Sequence, residues 1–290
     1  MTKGELITML RIYRLAFATS WLKSGMAGLR TSSISYPAYG PITYWEGGPP
    51  KAPVVLLIHG IGSSAQQDFV RLGPSLTRKY RVIAPDLPGF GRSHSARIVQ
   101  SITAQTDFIK WFTASLGLER FYITGNSMGG WIAQNFALSE KNKVAGLILI
   151  APAGCTIPKP EEGLFTPKTE QDIKRLMSHL FVTPPPLPQW YVKGWLKSLE
   201  NRKFSSTAEI MISMMEGREL LDEKVSGIQC PTLILGANED KIIPPETLHN
   251  IARSISSSNL KIFSPSGHLV LVEKFTPCRN EIFSWLETNK

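Results

Sequence analysis

The stretch Gly125-Asn126-Ser127-Met128-Gly129-Gly130 constrains this chain more than any other. An apolar run over residues 121–124 leads into it, and a helical pattern over 128–139 leads out. A strand that turns into a helix within so few residues brings two backbones close together. Glycines on both sides of Ser127 remove the Cβ atoms that would collide there. The serine is left on a sharp, strained turn at the top of a sheet. The helix that starts at Met128 aims free backbone N–H groups at the same point. In this setting Ser127 is a candidate nucleophile.

The surrounding pattern agrees with such a turn. Short apolar runs predict strands at 42–45, 54–58, 81–84, 121–124, 146–150, 232–235 and 261–263. Helical patterns fall between them at 102–116, 128–139, 246–254 and 277–288. Alternation of this kind predicts an α/β fold: a mostly parallel sheet flanked by helices on both faces. Several runs are unbroken aliphatic stretches, as expected of strands covered on both sides. The alternation stops between about residues 153 and 228, where Pro158, Pro160, Pro167, Pro184, Pro185, Pro186 and Pro188 punctuate helical patterns at 173–181, 190–199 and 208–216. A segment so long is not a loop. It predicts an inserted helical cap, giving a core at 41–152 and 229–290, a cap at 153–228 and an N-terminal segment at 1–40. A chain of 290 residues suffices for one such domain.

A serine hydroxyl is a weak nucleophile and needs a base. Three histidines follow Ser127. His179 falls in the cap and His249 in a helical pattern. His268 follows the strand at 261–263 and the turn Ser264-Pro265-Ser266-Gly267, where a base can reach the turn of Ser127. The orienting acid is expected after the strand at 232–235. Glu239 and Asp240 both stand there, and the position four before Pro244 favours Asp240. An oxyanion hole needs two N–H donors. Met128 supplies one, and Ile61, in His59-Gly60-Ile61-Gly62 after the strand at 54–58, supplies the other. His59 reads as an anchor for that loop and Asp86 as a structural residue of the next turn.

Together these motifs, from His59-Gly60 to His268, resemble the α/β-hydrolase superfamily. Gly125-Asn126-Ser127-Met128-Gly129-Gly130 resembles both bacterial family V lipases and meta-cleavage C–C hydrolases. Ala151-Pro152-Ala153-Gly154 resembles membrane-associated monoacylglycerol lipases. The resemblance implies a serine esterase or lipase acting on acylglycerols or other lipophilic esters through an acyl-enzyme, with a C–C bond hydrolase using the same residues as the alternative and a non-catalytic, ligand-binding member of the fold as a third reading. Two positions depart from the pattern. Ala237 stands where the family usually has Gly, and the loop after Gly60 lacks the Gly-Pro-Gly usual in the C–C hydrolases. Apolar cap residues, Phe165, Phe181, Trp190, Met211 and Met215 among them, are expected to form one wall of an acyl pocket. The bland reading of the same side chains is cap core.

No cofactor or metal is expected, since no Cys-His cluster has ligand spacing. Cys155, Cys230 and Cys278 form no disulfide framework, which favours a reducing, cytoplasmic setting. The net charge of +9 is read as a solvated basic surface, with no nucleic-acid partner and no oligomeric state implied. Residues 1–30 carry Lys3, Arg11, Arg14, Lys23 and Arg30 against Glu5 alone. Apolar residues between them recur at helical spacing, the pattern of a basic amphipathic helix on a membrane surface. The pattern equally suits a helix packed on the protein's own body or a transit peptide.

Overall fold

The computed structural model describes residues 26–93, 101–161, 163–165, 167–190, 192–194, 196, 210 and 216–290. Eight strands form one sheet: β1 (Leu29–Tyr36), β2 (Gly40–Gly47), β3 (Val54–Ile58), β4 (Arg81–Pro85), β5 (Phe121–Asn126), β6 (Val144–Ile150), β7 (Thr232–Ala237) and β8 (Ser258–Phe263). Their order is β1-β2-β4-β3-β5-β6-β7-β8. The first two pairings, β1–β2 and β2–β4, are antiparallel, and the other five are parallel.

Side-chain alternation along the strands builds two cores. On β3, Leu56 and Ile58 face one cluster, while Val55 and Leu57 face the other; all four are fully buried. The same split repeats on β6, with Leu147 and Leu149 against Ile148 and Ile150. Each such side chain contributes about 1.5–3 kcal/mol on burial. Helices α3 (Ile102–Ser115), α4 (Met128–Ser139) and α6 (Pro245–Ser254) cover the first face. Helices α1 (Ala65–Phe69), α2 (Leu72–Leu76), α7 (Val270–Glu273) and α8 (Phe275–Thr288) cover the second.

The sheet begins earlier than expected. Leu29–Tyr36, assigned from sequence to the N-terminal segment, is strand β1, and Arg30 pairs with Glu46 at 3.0 Å. β1 is an edge strand with few apolar residues, Thr31, Ser32, Ser33 and Ser35 among them, so its apolar signal is faint. Met26 is buried beside Gly73 of α2. The amphipathic pattern before it lies outside the described residues. The insertion between β6 and β7 holds helix α5 (Glu170–Leu180), whose capping box joins Thr169 and Asp172. Of the helical pattern at 190–199, residues 190, 192–194 and 196 are described and are helical, whereas that at 208–216, with Met211 and Met215, falls mostly outside the described residues. Among those residues no helix is long and apolar enough to cross a membrane.

Candidate active site

Ser127 sits between β5 and α4 with φ +52° and ψ −114°. Positive φ strains a residue with a side chain, and close packing enforces it here. A Cβ on Gly125 would lie 2.2 Å from the Gly129 carbonyl oxygen, and one on Gly129 would lie 2.1 Å from that of Ile58. The turn is braced from behind by the Ala151-Pro152-Ala153-Gly154 stretch. The Ser127 N–H donates to Ile150 O at 2.9 Å, and the Ala153 N–H donates to Ser127 O at 3.0 Å.

His268 and Asp240 reach the same place from the far end of the chain. His268 Nε2 lies 3.1 Å from Ser127 Oγ, and Nδ1 lies 2.8 Å from Asp240 Oδ2. A carboxylate only accepts, so Nδ1 carries the proton, which leaves Nε2 free to accept from the serine hydroxyl. Asp240 Oδ1 accepts the N–H groups of Ile242 and Ile243, each at 2.8 Å. The Asp240 side chain is fully buried. Glu239 is exposed, and its backbone N–H donates to Ser266 O. Of the two carboxylates left open by the sequence, Asp240 is the one brought to the histidine. Ala237, at the position where a glycine is usual, is fully buried at the end of β7.

The loop after β3 is held on two sides. His59 is fully buried, and its Nε2 accepts the Leu87 N–H at 3.0 Å. Its Nδ1 therefore carries the proton, which it donates to Gly60 O at 2.8 Å. The Gly60–Ile61 peptide is trans, so fixing its C=O fixes the Ile61 N–H pointing the opposite way. Met128 is the first residue of α4, where N–H groups have no intrahelical acceptor. Asp86 is buried and structural, accepting the N–H groups of Ala65 and Arg92 at 2.8 Å each.

The cap residues are more scattered. Phe165 is half-buried against the main core, in the cluster that contains Met128 and Leu164. Phe181 is buried in a small cluster with Ile173, Met177 and Val192, against which Leu269 and Val272 pack. Trp190 is 71% exposed. Two carboxylates near the site went unread in the sequence. Asp68 touches both the Gly60 loop and Asn126, and Glu273 braces the loop before His268. A signal for Asp68 exists: Ser64 and Gln67 form a cap that marks α1. Among the described residues no group of three or more His, Cys, Asp or Glu could hold a metal ion.

A family model described as the alpha/beta hydrolase fold matches residues 53–185. The chain is an α/β-hydrolase-fold protein. Its relatives include a 2-hydroxy-6-oxononadienedioate/2-hydroxy-6-oxononatrienedioate hydrolase of Pseudomonas putida, 28% identical, covering 81% of this chain and 88% of the relative. They also include a monoacylglycerol lipase of Xenopus laevis, 25% identical, covering 90% of this chain and 87% of the relative. Among solved structures, that of a membrane phospholipase A, described as a bacterial virulence factor, superposes on this chain with a TM-score of 0.81. It is 26% identical and covers 99% of this chain and 94% of that one.

Proposed function

We propose that this α/β-hydrolase-fold protein is a serine esterase or lipase acting on lipophilic carboxylic esters, acylglycerols among them. The observation that carries the proposal is His268 bridging Ser127 Oγ and Asp240 Oδ2 at 3.1 and 2.8 Å. In this reading Ser127 attacks the ester carbonyl while His268 Nε2 takes its proton. Asp240 holds the tautomer and stabilises the imidazolium that forms. The N–H groups of Ile61 and Met128 take the oxyanion. The imidazolium then protonates the departing alkoxide, leaving an acyl-enzyme. Water, deprotonated by His268, attacks that acyl-enzyme and frees the acid and Ser127.

Lipophilic esters are favoured by the likeness to the monoacylglycerol lipase and the phospholipase structure, and by the apolar side chains of the segment between β6 and β7, Phe165 among them, packed against the main core. Phe181, Trp190, Met211 and Met215 complete the proposed acyl contacts. Of the basic segment 1–30, residues 1–25 are proposed to rest on anionic lipid at the cytoplasmic face, since Met26, Leu29 and Arg30 belong to the folded body. Deleting 1–25, which spares β1, then weakens sedimentation with phosphatidylglycerol vesicles and leaves hydrolysis of short soluble esters intact.

The likeness to the Pseudomonas putida enzyme favours a second reading, hydrolysis of a C–C bond in a vinylogous diketone by the same residues. Rates on acyl esters from acetyl to palmitoyl, on mono- and triacylglycerols and on a ring-fission diketone separate the two. Ester hydrolysis abolished by Ser127→Ala supports the first reading. A strong preference for the diketone overturns it.

A further inference from the structure

Asp68, in α1, lies outside the proposed Ser127–His268–Asp240 relay, yet it touches both sides of the proposed oxyanion site. Its Oδ2 accepts the Gly60 N–H at 2.7 Å and an Asn126 side-chain N–H at 2.8 Å. Its Oδ1 accepts the Ser63 hydroxyl at 2.5 Å. Gly60 immediately precedes Ile61, and Asn126 immediately precedes Ser127. One carboxylate therefore links the loop that carries one oxyanion donor to the turn that carries the nucleophile and the other donor.

Two N–H donors converge on a single oxygen here. Without an acceptor between them they repel, and each loses a hydrogen bond in a half-buried setting. A carboxylate gives the shorter, charge-assisted form of both bonds. The covalent path between the two sides runs from Gly60 through α1, α2, β4 and α3 to β5; the sheet ladder joins them only as far as Ile58 and Gly125, and beyond that last pair Asp68 ties Gly60 to Asn126. His59 fixes how the Gly60–Ile61 peptide is turned, whereas Asp68 fixes how far that peptide stands from Ser127.

We infer that Asp68 is a positioning residue that holds the Ile61 and Met128 N–H groups in register with Ser127, an inference that rests on the esterase reading. Its removal acts on the transition state, because the oxyanion forms only there. A displacement of about 1 Å at a reacting centre can cost roughly 10²-fold.

The test uses the full chain, with active sites counted by exhaustive fluorophosphonate labelling. Asp68→Ala is expected to lower kcat on a soluble p-nitrophenyl ester by roughly 10- to 100-fold while KM stays within about threefold. Affinity for an alkylboronic acid, which mimics the tetrahedral intermediate, is expected to fall in parallel. Asp68→Asn is expected to recover most of the loss. Its amide oxygen can accept both N–H groups, and its NH2 can donate to the Ser63 hydroxyl, which rotates to accept. Asn126→Ala, should Asp68→Ala fold poorly, is expected to lose rate in the same direction, and the double variant to be no slower than the worse single one.

Wild-type kcat in Asp68→Ala, or a fall in kcat without weaker boronate binding, overturns the positioning role. So does an Asp68→Asn variant as slow as Asp68→Ala. A wild-type chain that neither hydrolyses esters nor takes up the fluorophosphonate instead overturns the esterase reading, and the inference with it.

Discussion

Glu273 accepts the backbone N–H of Gly267 at 2.7 Å, one residue before His268. Its other oxygen accepts the N–H of Val182 at 3.1 Å, just past the end of α5. The Leu269 N–H adds a second tie, donating to Leu180 O at 3.0 Å. The segment between β6 and β7 is thus fastened to the loop that presents the proposed base. Glu273→Ala leaves two backbone N–H groups without their acceptor. Urea unfolding should register a loss of about 1–3 kcal/mol, and ester kinetics a fall in kcat larger than any rise in KM. Unchanged stability would show that the tie through Glu273 carries no weight.

His59 controls the orientation of the Ile61 N–H through Gly60 O, and its own ring is held by the Leu87 N–H. His59→Ala removes both bonds and leaves space beside Phe90, whose ring lies 5.6 Å from that of His59. The expected result is a kcat loss of up to roughly 10²–10³-fold, the usual cost of one oxyanion donor, with substrate still bound. His59→Asn retains a short acceptor and donor and should fall between. A variant with wild-type kcat would mean that the loop keeps its shape without the ring.

The three thiols are pushed up by burial, Cys155 and Cys278 to about 12 and Cys230 to about 11. In the folded chain each keeps its proton where the unfolded chain gives it up. Their contribution to stability is therefore intact below the ordinary thiol value of 9.0 and is lost as pH climbs through 11 to 12. At pH 8 a disulfide reagent is expected to modify half-buried Cys230 before buried Cys155 and Cys278. Mass spectrometry of a time course reads the order directly. Rapid modification of Cys278 in folded protein would contradict its burial against α7.

Much of the fold was legible because its strands announce themselves. Val54–Ile58 and Met128–Ser139 were bounded correctly from sequence, since an unbroken aliphatic run marks the strand and the glycine-rich turn around Ser127 marks the start of the helix. Ser127 and His268 were legible for a related reason: the chain order and spacing of the turns leave few alternatives. β1 was hidden because an edge strand needs only one apolar face, and its serines and threonine give little periodicity. Asp68 and Glu273 were hidden because their partners are backbone N–H groups of distant loops, and no local pattern encodes such a contact. The exposure of Trp190 was not legible, because large apolar side chains read as buried.

The choice between adjacent carboxylates yields the sharpest test. Asp240 is buried against His268 and takes two further N–H bonds from Ile242 and Ile243. Glu239, one residue earlier, is exposed. Asp240→Asn keeps the size but can present an NH2 to His268 Nδ1, which drives the ring to the wrong tautomer. A kcat loss of roughly 10⁴-fold is expected from the analogous change in a Ser-His-Asp relay. Glu239→Gln changes only a solvated charge and should stay within about twofold of wild type, as surface substitutions usually do. Both rates are read on the same p-nitrophenyl ester at saturating substrate. Were Glu239→Gln the crippled variant, the acid would have to be reassigned and the buried geometry around Asp240 would be structural alone.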